Sequence, residues 1–244
     1  MGRVVGIAGG NGDSIKAFEK YAIQLSGKAH PNVVYIGTAT KDRESGVQFA
    51  TELFQGLGCS VKTLSLVTHT YTDTEIDEIL SWADLIYVGG GNTVFMMKVW
   101  KEFRLDEKLR AIYEKDLAVL SGISAGAICW FNCGHSDSES FEKAEGWRFI
   151  WAEGMLDFYH MVYCPHYNEP GRDSFDEMLK EKDLVGLALE NDTAFVEENG
   201  RQYFIRSSES AKAYRLEYVD GVLDKREVAF QAPIGFVAVH SGKG

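Results

Sequence analysis

Short runs that are apolar from end to end recur through the first half of the chain, each followed by a stretch with helical spacing. Val4 to Ala8, Asn32 to Gly37, Val61 to Leu66, Leu85 to Val88 and Leu117 to Gly122 read as strands. Between them, Asp13 to Leu25, Glu44 to Leu57, Thr74 to Trp82, the segment through Phe95, Met96, Val99 and Trp100, and Leu105 to Lys115 carry apolar residues at helical intervals. A strand apolar on both faces has to be covered on both faces. The alternation therefore predicts an α/β fold: a three-layer sandwich with a mostly parallel sheet and helices on either side.

The second half changes to shorter strands at Met161 to Cys164, Val185 to Leu189, Ala194 to Val196, Gln202 to Ile205 and Ala211 to Tyr218. The last two, with Val228 to Phe230, predict antiparallel strands toward the C-terminus that extend the sheet. No linker rich in Pro, Gly or Ser divides the 244 residues, so one domain, 1–244, is expected.

The formal net charge of −11 sets an acidic surface against phosphate backbones, which excludes nucleic acid as the expected partner. Cys59, Cys129, Cys133 and Cys164 are few and irregularly spaced. They read as small buried residues in a reducing cytosol, with no metal site among them. The start of the chain lacks a signal-peptide pattern, and no apolar run approaches the length of a membrane span, so a cytoplasmic protein with no membrane partner is expected.

The sharpest local signal is Gly122-Ile123-Ser124-Ala125-Gly126, which follows a predicted strand and opens a helical run, Ala127 to Phe131. A nucleophile elbow needs that context, because a tight strand-to-helix turn lifts the serine above the sheet. The helix N-terminus then offers amides to a developing oxyanion. Gly89-Gly90-Gly91-Asn92-Thr93 likewise leaves a strand and opens a helix. It matches neither phosphate-loop pattern, and it belongs at the same carboxyl edge of the sheet. Gly90, Gly91 and Asn92 are thus oxyanion-hole candidates.

A serine needs a base, and the base an orienting carboxylate. Of six histidines, His166 directly follows the strand Met161 to Cys164, at a strand end like Ser124. His240 is the rival that an α/β-hydrolase reading selects, since there the histidine comes last in the chain. For the carboxylate, Glu190 ends the strand Val185 to Leu189, with Asp192 two residues on, and Asp137 and Glu139 lie in the polar loop after the nucleophile helix.

Gly89-Gly90-Gly91-Asn92-Thr93, Gly122-Ile123-Ser124-Ala125-Gly126-Ala127 and Pro165-His166-Tyr167, in that order, resemble the peptidase E family. These are aspartyl dipeptidases and relatives that include the cyanophycinases. The resemblance implies a fold like that of class I glutamine amidotransferases, with serine in place of cysteine. It implies Ser124 as nucleophile, His166 as base, and oxyanion amides from Gly91 and Ala125. The family's third member maps loosely onto Asp137 or Glu190. An aspartate substrate needs a cation, and the family carries an arginine near Arg172, which makes Arg172 and the motif's Tyr167 substrate-binding candidates. The segment Asn168-Glu169-Pro170-Gly171 departs from the longer loop of the aspartate-specific enzymes.

The expectation is a serine exopeptidase, acting without metal or cofactor as a monomer or homodimer. It would cut a peptide bond near the N-terminus of small peptides, with aspartate the family's preference. An esterase or amidase acting on a small molecule, and a binding protein on the same fold with an idle elbow, are the competing readings.

Overall fold

The computed structural model describes residues 2–141 and 148–231. The first half runs β1 (Arg3–Ile7), α1 (Gly12–Ser26), β2 (Asn32–Ile36), α2 (Glu44–Gly56), β3 (Ser60–Leu64), α3 (Asp73–Ser81), β4 (Leu85–Val88), α4 (Thr93–Glu102), α5 (Leu105–Glu114), β5 (Val119–Ile123) and α6 (Ala125–Ile128). There follow β6 (Cys133–Ser136), β7 (Ile150–Ala152), β8 (Val162–Cys164), α7 (Ser174–Met178), β9 (Gly186–Leu189), β10 (Thr193–Glu198), β11 (Arg201–Arg206), β12 (Ala213–Val219) and β13 (Val222–Glu227).

Local chemistry sets the helix ends. Asn11 accepts from the Asp13 and Ser14 amides to start α1, and Gly27, at φ 69°, ends it in the left-handed conformation. Thr72 and Glu75 form a reciprocal capping box on α3. The strands that are buried throughout, such as β4 (Leu-Ile-Tyr-Val), have no solvent face, as a sheet covered on both sides requires.

Among the described residues the larger sheet has the order β11-β10-β1-β5-β4-β2-β3. Strands β1, β5, β4, β2 and β3 are parallel to one another, and β10 and β11 add antiparallel pairs at the β1 edge. Alternate residues serve opposite faces. Val5, Val33 and Tyr35 pack with Phe18 of α1 and Phe54 of α2. Val4, Val34 and Ile36 pack with Ile76 of α3, Met96 and Trp100 of α4, and Leu109 of α5. This is the expected three-layer arrangement.

The second half corrects one expectation. Met161 to Cys164, Val185 to Leu189 and Ala211 to Tyr218 do not join the first sheet. They build a second sheet of order β13-β12-β9-β8-β6-β7, parallel between β6, β8 and β9. Three of its strands, β6, β7 and β13, were not anticipated, and the stretch expected to stay helical to Phe131 leaves the helix after Ile128. Phe230 contributes one parallel bridge, to Phe204, in place of an antiparallel strand. The two sheets share a core: Phe131 stacks on Tyr163 at 4.5 Å, and the Tyr163 hydroxyl donates to the Gly6 carbonyl at 3.2 Å. The other face of the second sheet packs on Phe175 of α7 and the following Leu179.

Candidate active site

Ser124 sits between the end of β5 and the start of α6 with φ 54° and ψ −114°, outside the regions open to most residues. Such a backbone costs about 1–3 kcal/mol and persists only where neighbours overdetermine it. Here they do. The Ser124 amide donates to the Ile7 carbonyl of β1 at 2.9 Å, and its own carbonyl accepts from the Ala127 and Ile128 amides. The flanking glycines are sterically obligatory: a methyl group on Gly122 would lie 2.1 Å from the Gly126 carbonyl oxygen, and one on Gly126 would lie 2.2 Å from the Val88 carbonyl oxygen. The Ala125 amide, at the first position of α6, has no partner within its own helix.

On one side of Ser124 the chain leaves β4 through Gly89-Gly90-Gly91. Gly91 adopts φ 135° and presses on the turn Thr38–Thr40, where a methyl group would meet the Ala39 carbonyl oxygen at 2.5 Å. A methyl group on Gly90 would come within 3.2 Å of Ser124 Cβ, which places this turn directly beside the serine. The amides of Gly90 and Gly91 make no backbone hydrogen bond among the described residues. Asn92 is different, and this corrects its place among the oxyanion candidates. Its amide donates to the Ala39 carbonyl at 2.9 Å, and its side chain caps α4 at the Phe95 amide while donating to the Ser138 carbonyl.

On the other side lies His166. It follows β8 of the second sheet and meets the end of β1, two residues past the Ile7 carbonyl that holds the Ser124 amide. The contact runs through Gly9, just past β1: a methyl group there would fall 2.3 Å from the His166 ring. The His166 Nδ1–H donates to Asn191 Oδ1 at 2.7 Å, while Asn191 Nδ2 donates to Glu169 Oε1 at 2.9 Å. The amide's two ends are thereby distinguished, and the pattern leaves His166 Nε2 as the unprotonated, basic nitrogen. Burial pulls the His166 pKa below the ordinary histidine value. Glu169, the Asn191 bond and Asp137 oppose that pull, and Arg172 adds to it. A free base at neutral pH follows.

The orienting group differs from both expected carboxylates. Glu190 turns away: its amide donates to the Lys212 carbonyl and its Oε2 accepts from the Lys212 amide at 2.9 Å. Asp137 lies 3.5 Å from Arg172 Nη2 instead. Asp192 accepts from the Ser14 hydroxyl, and Glu139 faces Arg148 at 3.6 Å. The groups on His166 Nδ1 are Asn191 and, 3.3 Å away, Glu169, both missed by sequence reasoning. The only hint was position, since Asn191 adjoins the expected Glu190 and Glu169 lies three residues past the histidine.

The expected substrate contacts also lie elsewhere. Arg172 is buried, donates to the His135 carbonyl at 2.9 Å, and places its guanidinium over the Phe149 ring at 4.6 Å. The Tyr167 hydroxyl donates to Asp176 at 2.6 Å, and its ring packs on Tyr214. Tyr167 therefore braces the second sheet. His135 is fully buried against Phe149, and burial, aided by Arg172, drives its pKa down to about 3. His240 lies outside the described residues.

All four cysteines are buried and unpaired. Among the described residues no group of three or more His, Cys, Asp or Glu side chains is placed to hold a metal ion. Among them too, no helix is long and apolar enough to cross a membrane.

The chain has relatives. The family model of peptidase family S51 matches residues 5–204. An uncharacterized peptidase, YgaJ of Bacillus subtilis (strain 168), is 32% identical over 216 residues, covering 85% of this chain and 89% of its own length. A crystal structure of a peptidase from an acI-B1 Actinobacterium superposes with a TM-score of 0.71 at 19% identity, over 95% of this chain and 96% of the other. A putative peptidase E protein from Listeria monocytogenes EGD-e gives 0.65 at 20% identity, over 85% of this chain and all (100%) of the other. At these identities the two solved structures share the fold.

Proposed function

This chain belongs to peptidase family S51, the peptidase E family of serine peptidases, and we propose that it is a dipeptidase-like exopeptidase using Ser124 and His166. The observation that carries the reading is the backbone of Ser124, held at φ 54° where a serine gains nothing for the fold. Strain retained at a hydroxyl-bearing residue, with unpaired amides on one side and a histidine of defined tautomer on the other, suits an acyl-transfer nucleophile.

In the first step His166 Nε2 takes the proton of the Ser124 hydroxyl as its oxygen attacks the scissile carbonyl. The Gly91 and Ala125 amides, with Gly90 beside them, receive the oxyanion. The imidazolium then protonates the departing amine, leaving an acyl-serine. Water, deprotonated by His166, attacks that ester, and Ser124 regains its proton on collapse. A cytoplasmic setting fits the buried, unpaired cysteines.

Family resemblance supports small peptides as substrates. Aspartate preference has weaker support, because Arg172 already faces Asp137. The test is a panel of dipeptides, including Asp-X, with wild type and Ser124→Ala, reading the released amino acids. Release by wild type alone supports the reading. Release that survives Ser124→Ala, or none by folded wild type, overturns it.

A further inference from the structure

The imidazolium formed when His166 takes the serine proton needs a nearby negative charge, normally that of a carboxylate on Nδ1–H. Here the atom on Nδ1–H is the amide oxygen of Asn191, which orients the ring but carries no net charge. Every other carboxylate considered for this role is otherwise occupied: Glu190 by the Lys212 amide, Asp192 by Ser14, Asp137 by Arg172 and Glu139 by Arg148. Among the described residues Glu169 is the carboxylate that reaches the ring.

The three groups close a triangle. His166 Nδ1 lies 2.7 Å from Asn191 Oδ1, Asn191 Nδ2 lies 2.9 Å from Glu169 Oε1, and that same Oε1 lies 3.3 Å from His166 Nδ1. A second bond pins the asparagine's loop, since the Asn191 amide donates to Asn168 Oδ1 at 2.9 Å. The loop carrying His166 thus also carries both residues that fix Asn191. Glu169 polarises the amide: by accepting from Nδ2 it pushes electron density toward Oδ1, strengthening the bond to the imidazole.

We propose that Glu169 is a positioning residue that supplies, through Asn191 and directly, the negative charge that stabilises the His166 imidazolium. No proton passes to Glu169. The serine proton moves to Nε2 and later to the leaving amine, while the Nδ1 proton stays between His166 and Asn191. The side chain of Glu169 is 48% exposed, so water screens its charge and the effect is smaller than that of a buried carboxylate. The inference rests on the Ser124–His166 reading for its catalytic meaning, though not for the interaction itself.

The other charges facing the ring are Asp137, which favours the imidazolium, and Arg172, which opposes it. Both stay in place when Glu169 is altered. Glu169→Gln keeps an acceptor for Asn191 Nδ2 and removes only the charge. Glu169→Gln with Asn191→Asp returns one carboxylate, now directly on Nδ1.

The experiment is a histidine NMR titration of the free protein, with the His166 signal identified by its loss in His166→Ala, alongside kcat/KM against pH on the best peptide. The expected result is that the His166 titration and the acidic limb of kcat/KM both move to lower pH in Glu169→Gln. Activity at the optimum falls by about tenfold, as for outer partners of a site histidine. The double variant moves both back up. A His166 titration that does not move in Glu169→Gln overturns the proposal, because a purely structural contact would leave it in place. The NMR arm needs no turnover, so failure of the peptidase reading, seen as absence of peptide release, is told apart from failure of this one.

Discussion

Gly9 and His166 touch where the two sheets meet, so closely that a methyl group on the glycine would lie 2.3 Å from the imidazole Nδ1 and 2.1 Å from Asn191 Oδ1. The end of β1 is thus a shared wall: Ile7 holds the Ser124 amide, and two residues on Gly9 receives the histidine and its partner. Gly9→Ala is expected to push the ring out of line and lower kcat/KM by at least about 100-fold, the cost of a misplacement near 1 Å. Gly12→Ala is the control, since nothing lies within 4 Å of a methyl group there. Steady-state kinetics on both, with thermal melts to show folding, checks this. Equal activity in the two variants would contradict the contact.

The strain at Ser124 predicts a trade between stability and activity. Glycine tolerates φ 54°, so Ser124→Gly releases about 1–3 kcal/mol. It gives back about 0.4–1 kcal/mol through greater freedom of the unfolded chain. The expected outcome is an inactive protein stabilised by about 1 kcal/mol, with Tm higher by about 2–4 °C for a chain of this size. Ser124→Ala keeps the strain and should not melt higher. Calorimetry on the three proteins decides.

Glu19 predicts a loss of stability as pH rises from 4.5 to about 8. It is fully buried on α1, accepts from the Ser121 hydroxyl at 3.0 Å, and its Oε2 has no hydrogen-bond partner among the described residues. Burial raises its pKa from 4.5 to about 8, against the opposing pull of Ser121. A raised folded pKa gives a contribution complete below 4.5 and lost as pH climbs through 8. Wild type should therefore weaken relative to Glu19→Gln over that window, by up to about 1.4 kcal/mol per pH unit. Urea midpoints at several pH values measure it. Parallel curves for the two proteins would show that Glu19 does not titrate there.

What the sequence made legible was local. Gly122 to Gly126 carries its own turn, helix start and close packing within five residues, and the buried runs of β1, β2, β4 and β5 announce a sheet covered on both faces. What escaped was non-local or depended on side-chain direction. Glu190 and Asn191 are neighbours, but consecutive side chains at a strand end point to opposite sides, so one residue decides which faces His166 and which faces Lys212. Arg172 and Asp137 pair across 35 positions, a meeting that no spacing rule reveals. The second sheet hid because β6, Cys-Gly-His-Ser, is short and carries two polar side chains that are buried without alternation. Its His135 is satisfied by Ser174, again a distant partner.

The central claim, that Ser124 and His166 act as one unit, is tested most directly by kcat/KM on the best peptide substrate for wild type, Ser124→Ala, His166→Ala and the double variant. Each single variant should lose at least about 10³-fold, and the double should lose little more than either, since a nucleophile without its base and a base without its nucleophile fail together. Losses that multiply in the double variant, or peptide cleavage that persists in Ser124→Ala, would contradict the account.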